Sequence, residues 1–500
     1  MEIKDSFEEL LTGAGVSFIG IVLAQGLTLG SEVLFANLLG PRLYGQIGLA
    51  ASIGVSLATI ISLGLPQGIA RLWRTVDTDV ERQSLLISSY LLVSGLCAIV
   101  LITFFTFPGQ ISRLINTPSI SGSIPFFSVF IVFFSISLTT LGALRGMKQP
   151  TISTLSRDVF PKISGLIIFV LFVFLGQSYR GAVLFWVSSG VVSFISSSFF
   201  LWYKTRWNPI SVVNAGFSKI SQLWEFSWPL ALEAAFMSLM INLDIILIGY
   251  FSSSSAVGFY RSVQPLSRGL TLFLGSFTFL YLPIATDYFN GDENNELKRI
   301  YQASTKWILF VTYPLALLFV FFSPEVVLTL FDERYLPAAS ALSILSIGMF
   351  LRAAVGPNGA TVKAINKTKI DLIASLAGLL TNVALNVILI PDFGFIGAAV
   401  ATSISFLIFN LVDSIVVFVV TGAHPLTINV FKQLIPSGIF AWYLSTTSLA
   451  SPGILDVGLL FILLSISHII SYIITRSVDS DDQLIIETIE DKTGFDLNFI

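Results

Sequence analysis

The chain has 500 residues, of which 54% are hydrophobic and only 11% charged, against about 25% charged in a soluble domain. That balance excludes a soluble core and identifies an all-α polytopic membrane protein. A net charge of −3 provides no basic surface for nucleic acid. The lone cysteine, Cys97, lies in an apolar run and excludes an internal disulfide or a cysteine-based metal site. His424 and His468 are far apart and form no ligand motif, so neither a metal nor a cofactor is expected.

A bilayer crossing takes about 20 apolar residues. The apolar runs predict about fourteen spans: 13–38, 45–70, 84–107, 122–143, 157–176, 181–203, 226–250, 256–282, 303–322, 336–360, 370–391, 394–420, 428–447 and 455–475. They are too long and too uniformly apolar for the short alternating strands of a barrel. The first run fills a full membrane thickness and is read as a span, not a cleaved signal peptide. The order predicts a six-helix lobe over 1–203, a cytoplasmic linker over 204–225, a second six-helix lobe over 226–422, two appended helices over 423–477 and an acidic cytoplasmic tail over 478–500. In the linker, Phe217, Ile220, Leu223 and Trp224 recur at helical spacing and predict an interfacial helix. In the tail, Ile485 and Ile489 follow Asp481 and Asp482, which fits either a short capped helix or a frayed end.

Basic residues set the orientation. Of the 27 lysines and arginines, about 21 fall on one side of this scheme, together with both termini. The opposite side holds only Arg42, Arg113, Arg180 and Arg334. The positive-inside rule then places both termini in the cytoplasm. The external loops are short, several of them little more than turns, with Gly40-Pro41 and Pro391-Asp392 as turn signals.

The chain repeats itself. Leu43-Tyr44-Gly45-Gln46-Ile47 opens the second span and Val257-Gly258-Phe259-Tyr260 opens the eighth; Leu65-Pro66 and Leu282-Pro283 close them before polar loops. The two units are six spans apart in the same orientation, the pattern of two related lobes with cargo handled between them.

The residues that stand out are polar groups inside spans. Arg261 and Arg268 are two helical turns apart and share a face, as do Glu233 and Asp244 on the preceding span. An arginine at membrane depth costs at least a few kcal/mol and is kept for a partner or a function. By depth, Asp244 matches Arg261 and Glu233 matches Arg268. They either knit spans 7 and 8 together as ion pairs, or present arginine to an anionic cargo, or break and re-form during a cycle. Arg352, towards the inner end of span 10, is a second candidate cation or snorkels to the surface. Glu32, inside the first span, is a candidate carrier of a proton or ligand of sodium, or else a packing glutamate. Asn382 and Asn386 share a face at i, i+4 and suit either glycan hydroxyls or interhelical hydrogen bonds. Trp202, Trp207, Trp224, Trp228 and Trp307 fall near span ends as an interfacial belt.

Several stretches carry a family resemblance. Leu39-Gly40-Pro41-x-x-Tyr44-Gly45 after the first span resembles the polysaccharide-biosynthesis (O-antigen type) flippases. So do Asp244 with Ile248-Gly249 and Val257-Gly258-Phe259-Tyr260, Pro283 leading into Gly291-Asp292-x-x-x-Glu296-Leu297, and the Gly394-x-x-Gly397-Ala398-Ala399 start of the twelfth span. The resemblance covers spans 1 to 12 and extends to the appended pair. It implies the fold shared by multidrug extruders and lipid-linked sugar flippases of the multidrug/oligosaccharidyl-lipid/polysaccharide exporter superfamily. It further implies a non-enzymatic cargo cycle: an oligosaccharide on a polyprenyl or dolichyl phosphate carrier, moved to the outer leaflet of the plasma membrane for surface polysaccharide or protein glycosylation. Membrane lipids and glycosyltransferases of the same pathway would be its partners.

Arginine suits the carrier phosphate because its planar fork makes two parallel charge-assisted bonds. A drug or metabolite extruder of the same fold would want an acid-lined cavity for cationic cargo, whereas arginines here accompany every candidate acid. A membrane glycosyltransferase or polymerase would want catalytic groups on a sizeable external loop. No G-x-x-x-x-G-K motif appears, so ATP is not the direct driver; an Na+ or H+ gradient or the cargo gradient would supply the energy.

Overall fold

The stretch from Thr368 to Thr421 is helical over 54 residues, roughly 80 Å at 1.5 Å per residue. That is far more than the ~30 Å of hydrocarbon in a bilayer. The chain turns back at Gly394, whose φ of 56° and ψ of −137° are open to glycine alone. The helix Ile3–Ile61 bends in the same way at Gly40, with φ 72° and ψ 168°, and Pro41 follows as a first-turn residue that needs no N–H. Both bends fall where the sequence predicts span ends.

The computed structural model describes residues 3–207, 216, 218–425, 427–447, 451–475 and 477, and of residues 3–24, 276, 279 and 280 only the backbone. The linker over 208–215 with Phe217, and the acidic tail over 478–500 with its candidate helix, lie outside the described residues. Among the described residues every regular element is a helix. Nine helices there are long and apolar enough to cross a membrane, the two bent ones among them. The chain divides into two compact units, Met1–Arg261 and Ser262–Ile500.

In the first unit the helices Ile124–Gly146, Phe160–Phe174 and Ser178–Thr205 pack on one another. Phe35 enters edge-on between Phe169, at 4.4 Å between ring centroids, and Phe185, at 4.8 Å. The predicted span 157–176 falls in a helical stretch that already starts at Pro150 and runs to Phe174. Leu155–Val159 forms a π turn ahead of Pro161, which has no N–H for the helical ladder. Ile220, Leu223 and Trp224 open the continuous helix Ile220–Phe251.

The two sequence repeats meet in this unit. A Cβ on Gly45 would run into the Ser254 carbonyl and come within 2.8 Å of the Gly258 nitrogen, and a Cβ on Gly258 would run into the Pro41 carbonyl. The spans cross there backbone to backbone. Hydrocarbon offers no hydrophobic drive for helix association, so such close approach of small residues is what holds spans together.

In the second unit the predicted continuous span 256–282 is broken. One helix, Ser254–Gly269, ends and another, Leu272–Asn290, begins. The link is tightened by Leu270 N–H to Ser267 O at 3.2 Å and Thr271 N–H to Arg268 O at 3.0 Å. Pro265 has already withdrawn one donor from this stretch and Gly269 favours a helix end, so an unbroken apolar run conceals a stop. The core of this unit gathers Tyr281, Leu297, Tyr301, Val362 and Val417. Its tyrosine hydroxyls are satisfied, Tyr301 donating to Val355 O at 2.7 Å and Tyr281 pairing with Thr361 Oγ1 at 2.9 Å. Helices Ile428–Ser445 and Ile454–Ile474 pack together. They share a polar contact between Ser437 Oγ and His468 Nδ1 at 3.1 Å.

Two outcomes follow from this packing. Gly258→Val is expected to cost about 3 kcal/mol or more by overpacking, whereas Gly458→Ala, with nothing within 4 Å, leaves thermal stability in detergent unchanged; equal melting of the two would remove the crossing from the account. At the turn Glu333–Tyr335, hydrogen bonds from the Arg334 side chain hold the Asp332 carboxyl below its usual range. That contribution is present above the unfolded carboxyl's titration and is lost as pH falls through the lower folded value. Because Arg334 is exposed, Asp332→Asn should cost under about 1 kcal/mol at neutral pH, with the difference vanishing in acid.

Candidate functional site

The charges that stand out in the sequence are distributed between two places, one in each unit. In the first unit the second repeat delivers Arg261 against the first span. The Glu32 and Arg261 side chains are each 11% exposed. They join as a fork: Arg261 Nη2 donates to Glu32 Oε1 at 2.7 Å and Nε to Glu32 Oε2 at 3.3 Å. Nη1 donates to the Gly48 carbonyl at 3.1 Å and to Ser52 Oγ at 3.4 Å. The Tyr44 hydroxyl donates to Glu32 Oε2 at 2.6 Å. The rings of Tyr44 and Trp186 flank the guanidinium at 5.9 and 5.8 Å. Gly48 is needed for this approach, because a Cβ there would overlap Arg261 Cδ. The guanidinium is thus neutralised, bonded and stacked, as a buried arginine must be.

The depth match between Asp244 and Arg261 does not select the partner: the carboxylate of Arg261 is Glu32, 229 residues away in sequence. Asp244, 1% exposed, accepts from the Tyr260 hydroxyl at 2.7 Å. Each repeat therefore hands a tyrosine hydroxyl to an acid on the preceding span. Glu233 is exposed on its own helix.

In the second unit, Arg268 is half-buried beside the break that ends its helix. Arg352, from the helix Ala338–Ala354, lies over the Phe406 ring at 4.7 Å. Arg268 and Arg352, some eighty positions apart in sequence, both belong to this unit. Asn382 and Asn386 are both buried, and Asn386 Nδ2 donates to Asn382 Oδ1 at 3.0 Å, which engages one side-chain dipole with the other.

Sequence reasoning does not single out Trp186, Ser52 or Gly48 around Arg261, or Asp413 in the second unit. For the first three no signal exists, since ordinary residues are recruited by packing. For Asp413 the signal is there: an aspartate inside an apolar run. Removing one member of the Glu32–Arg261 pair is expected to cost about 3–5 kcal/mol, and removing both to cost markedly less. Thermal unfolding of Arg261→Gln, Glu32→Gln and the double variant checks this; additive losses would show that the pair is not coupled.

Comparison with known proteins accords with this architecture. A family model described as polysaccharide biosynthesis protein matches residues 10–289, and one described as MatE matches residues 229–388. An uncharacterized membrane protein of Methanocaldococcus jannaschii, MJ1068, is 32% identical over 169 residues, 33% of each chain. The probable low-salt glycan biosynthesis flippase Agl15 of Haloferax volcanii is 27% identical over 164 residues, 33% of this chain and 35% of that one. The chain thus spans about a third of the length of these curated relatives in the matched stretches. Among solved structures, the lipid II flippase MurJ in an inward closed conformation has a TM-score of 0.68 at 18% identity, covering 93% of this chain and 99% of that one, a likeness of fold. With more than half its length matched by one model, the chain belongs to the polysaccharide biosynthesis protein family.

Proposed function

We propose that the chain is a flippase, not an enzyme. It moves an oligosaccharide carried on a polyprenyl or dolichyl phosphate from the cytoplasmic to the outer leaflet of the plasma membrane by alternating access, with both termini in the cytoplasm. The product serves surface polysaccharide or glycoprotein synthesis, and glycosyltransferases of the same pathway supply the cargo. The observation that carries this reading is the presence of two arginines in apolar helices of one unit, Arg268 beside a helix break and Arg352 over the Phe406 ring. A polar head cannot cross hydrocarbon unaided because its hydrogen-bonding groups would lose water without replacement. Two guanidinium forks replace that water at the phosphate oxygens. The family membership and the relative named as a glycan biosynthesis flippase support the same cargo class.

A second reading, an ion-coupled drug or metabolite extruder, is favoured by the MatE model over residues 229–388. It asks for cationic cargo. That conflicts with arginines as the candidate cargo-binding groups, since like charges repel in a medium of low dielectric.

The test is translocation of a fluorescent polyprenyl-phosphate glycan in vesicles holding the purified chain. Arg268→Ala and Arg352→Ala are each expected to slow it about tenfold or more, the equivalent of one lost charge-assisted contact, with size-exclusion behaviour unchanged. Arg268→Lys, which keeps the charge and loses the fork, should fall between. Unaltered rates in the Arg268→Ala/Arg352→Ala double variant would discard the site, and an inert wild type with an active cationic-dye efflux would hand the chain to the second reading.

A further inference from the structure

In the second unit a carboxylate that no part of the account so far uses is fully buried. Asp413, on the return half of the helix Thr368–Thr421, is 0% exposed, and both of its carboxylate oxygens lack a hydrogen-bond partner. The donors around it are spent elsewhere. Asn358 Nδ2 donates to Asn410 O at 3.0 Å, to Asn410 Oδ1 at 3.2 Å and to Ser414 Oγ at 3.4 Å, spanning the turn that bears Asp413. Gly359 N–H donates to Asn358 Oδ1 at 2.9 Å. Tyr301, from the helix Asn294–Phe321, gives its hydroxyl to Val355 O, and Tyr281, from Leu272–Asn290, pairs with Thr361. Arg352 stays over Phe406. His424, beyond the end of the helix, meets Gln302 at 3.3 Å. The remaining ionisable neighbours, Lys363 and Asp371, are bonded to each other, Lys363 Nζ to Asp371 Oδ2 at 3.3 Å.

An ionised carboxylate in that position would be an isolated buried charge, which costs far more than any packing gain returns, and such a group neutralises instead. We propose that Asp413 is a proton-binding site of the second unit, and that the Asp371–Lys363 pair is its route to water. The exposure is graded along that route: Asp413 is fully buried, the Asp371 side chain is 18% exposed and the Lys363 side chain 49%. Gly359 borders both acids. A Cβ there would lie 3.7 Å from Asp413 Oδ2 and 4.0 Å from Asp371 Oδ1, so the missing side chain leaves the space beside them open to a hydrogen-bonded relay. A sodium ion fits this place poorly, because it needs several oxygen ligands and would stand beside the Lys363 ammonium. On protonation the O–H bond forms at a carboxylate oxygen, with the proton taken from water through Asp371; release reverses the transfer.

Proton binding is read directly by infrared difference spectroscopy of the full chain in detergent, without cargo. Wild type is expected to show a carboxylic-acid carbonyl band that disappears as the pH is raised. The band is absent in Asp413→Asn and kept in Asp371→Asn. A correctly folded Asp413→Asn variant with the whole band overturns the proposal, as does a sodium pulse that removes the band at constant pH. Should Asp413→Asn not fold, Asp413→Glu decides, with a displaced band expected and an undisplaced one fatal to the idea. A role in driving transport rests on the flippase reading and is measured separately: in vesicles, Asp413→Asn should translocate at a rate indifferent to an imposed pH gradient, and a wild-type response to the gradient would remove the coupling while leaving the other arms intact.

Discussion

A charged group inside hydrocarbon must find its counter-charge and its hydrogen bonds within the protein, and the first unit is organised around that requirement. Arg261 brings five N–H donors to a place where its side chain is only 11% exposed. Glu32, the Gly48 carbonyl and Ser52 accept from it, Tyr44 braces the carboxylate, and two aromatic rings take the faces. For that arrangement to close, the second and eighth spans must approach until only glycine fits between them. The crossing at Gly45 and Gly258 and the ion pair are therefore one construction: the glycines permit the distance that the charges require.

The second unit treats its charges differently. Arg268 is half-buried beside a helix break, Arg352 lies over the Phe406 ring, and Asp413 is buried with its neighbours' donors committed elsewhere. A buried carboxylate without a bonded partner favours a proton that arrives and leaves, which is the basis of the proposal made for Asp413. The helix break after Gly269 fits the same picture. A discontinuous span frees backbone groups at membrane depth, which is tolerated where they serve a site or are re-satisfied locally.

Much of this was legible in local chemistry. Gly40-Pro41 and the glycine at 394 mark span ends because a positive φ and a missing N–H act on the chain wherever it folds. The repeat motifs around Gly45 and Gly258 point to a shared structural role, and the role proves to be mutual contact. The break inside 256–282 was concealed because hydropathy measures affinity for hydrocarbon and is blind to a lost backbone donor at Pro265. The depth argument placed Asp244 level with Arg261, yet depth is one coordinate of three. Tyr260 takes Asp244, and Glu32 arrives at Arg261 from the other repeat.

The amino-acid sequence by itself determined that this chain lives in a bilayer as helices, roughly where each helix turns, and which few polar side chains must be accounted for. Those properties follow from the free energy of transferring each segment, which is additive along the chain. Only the tertiary structure decided which charge meets which. Pairing across 229 positions depends on helix rotation and packing, and these are set by contacts among many residues that carry no mark of their own.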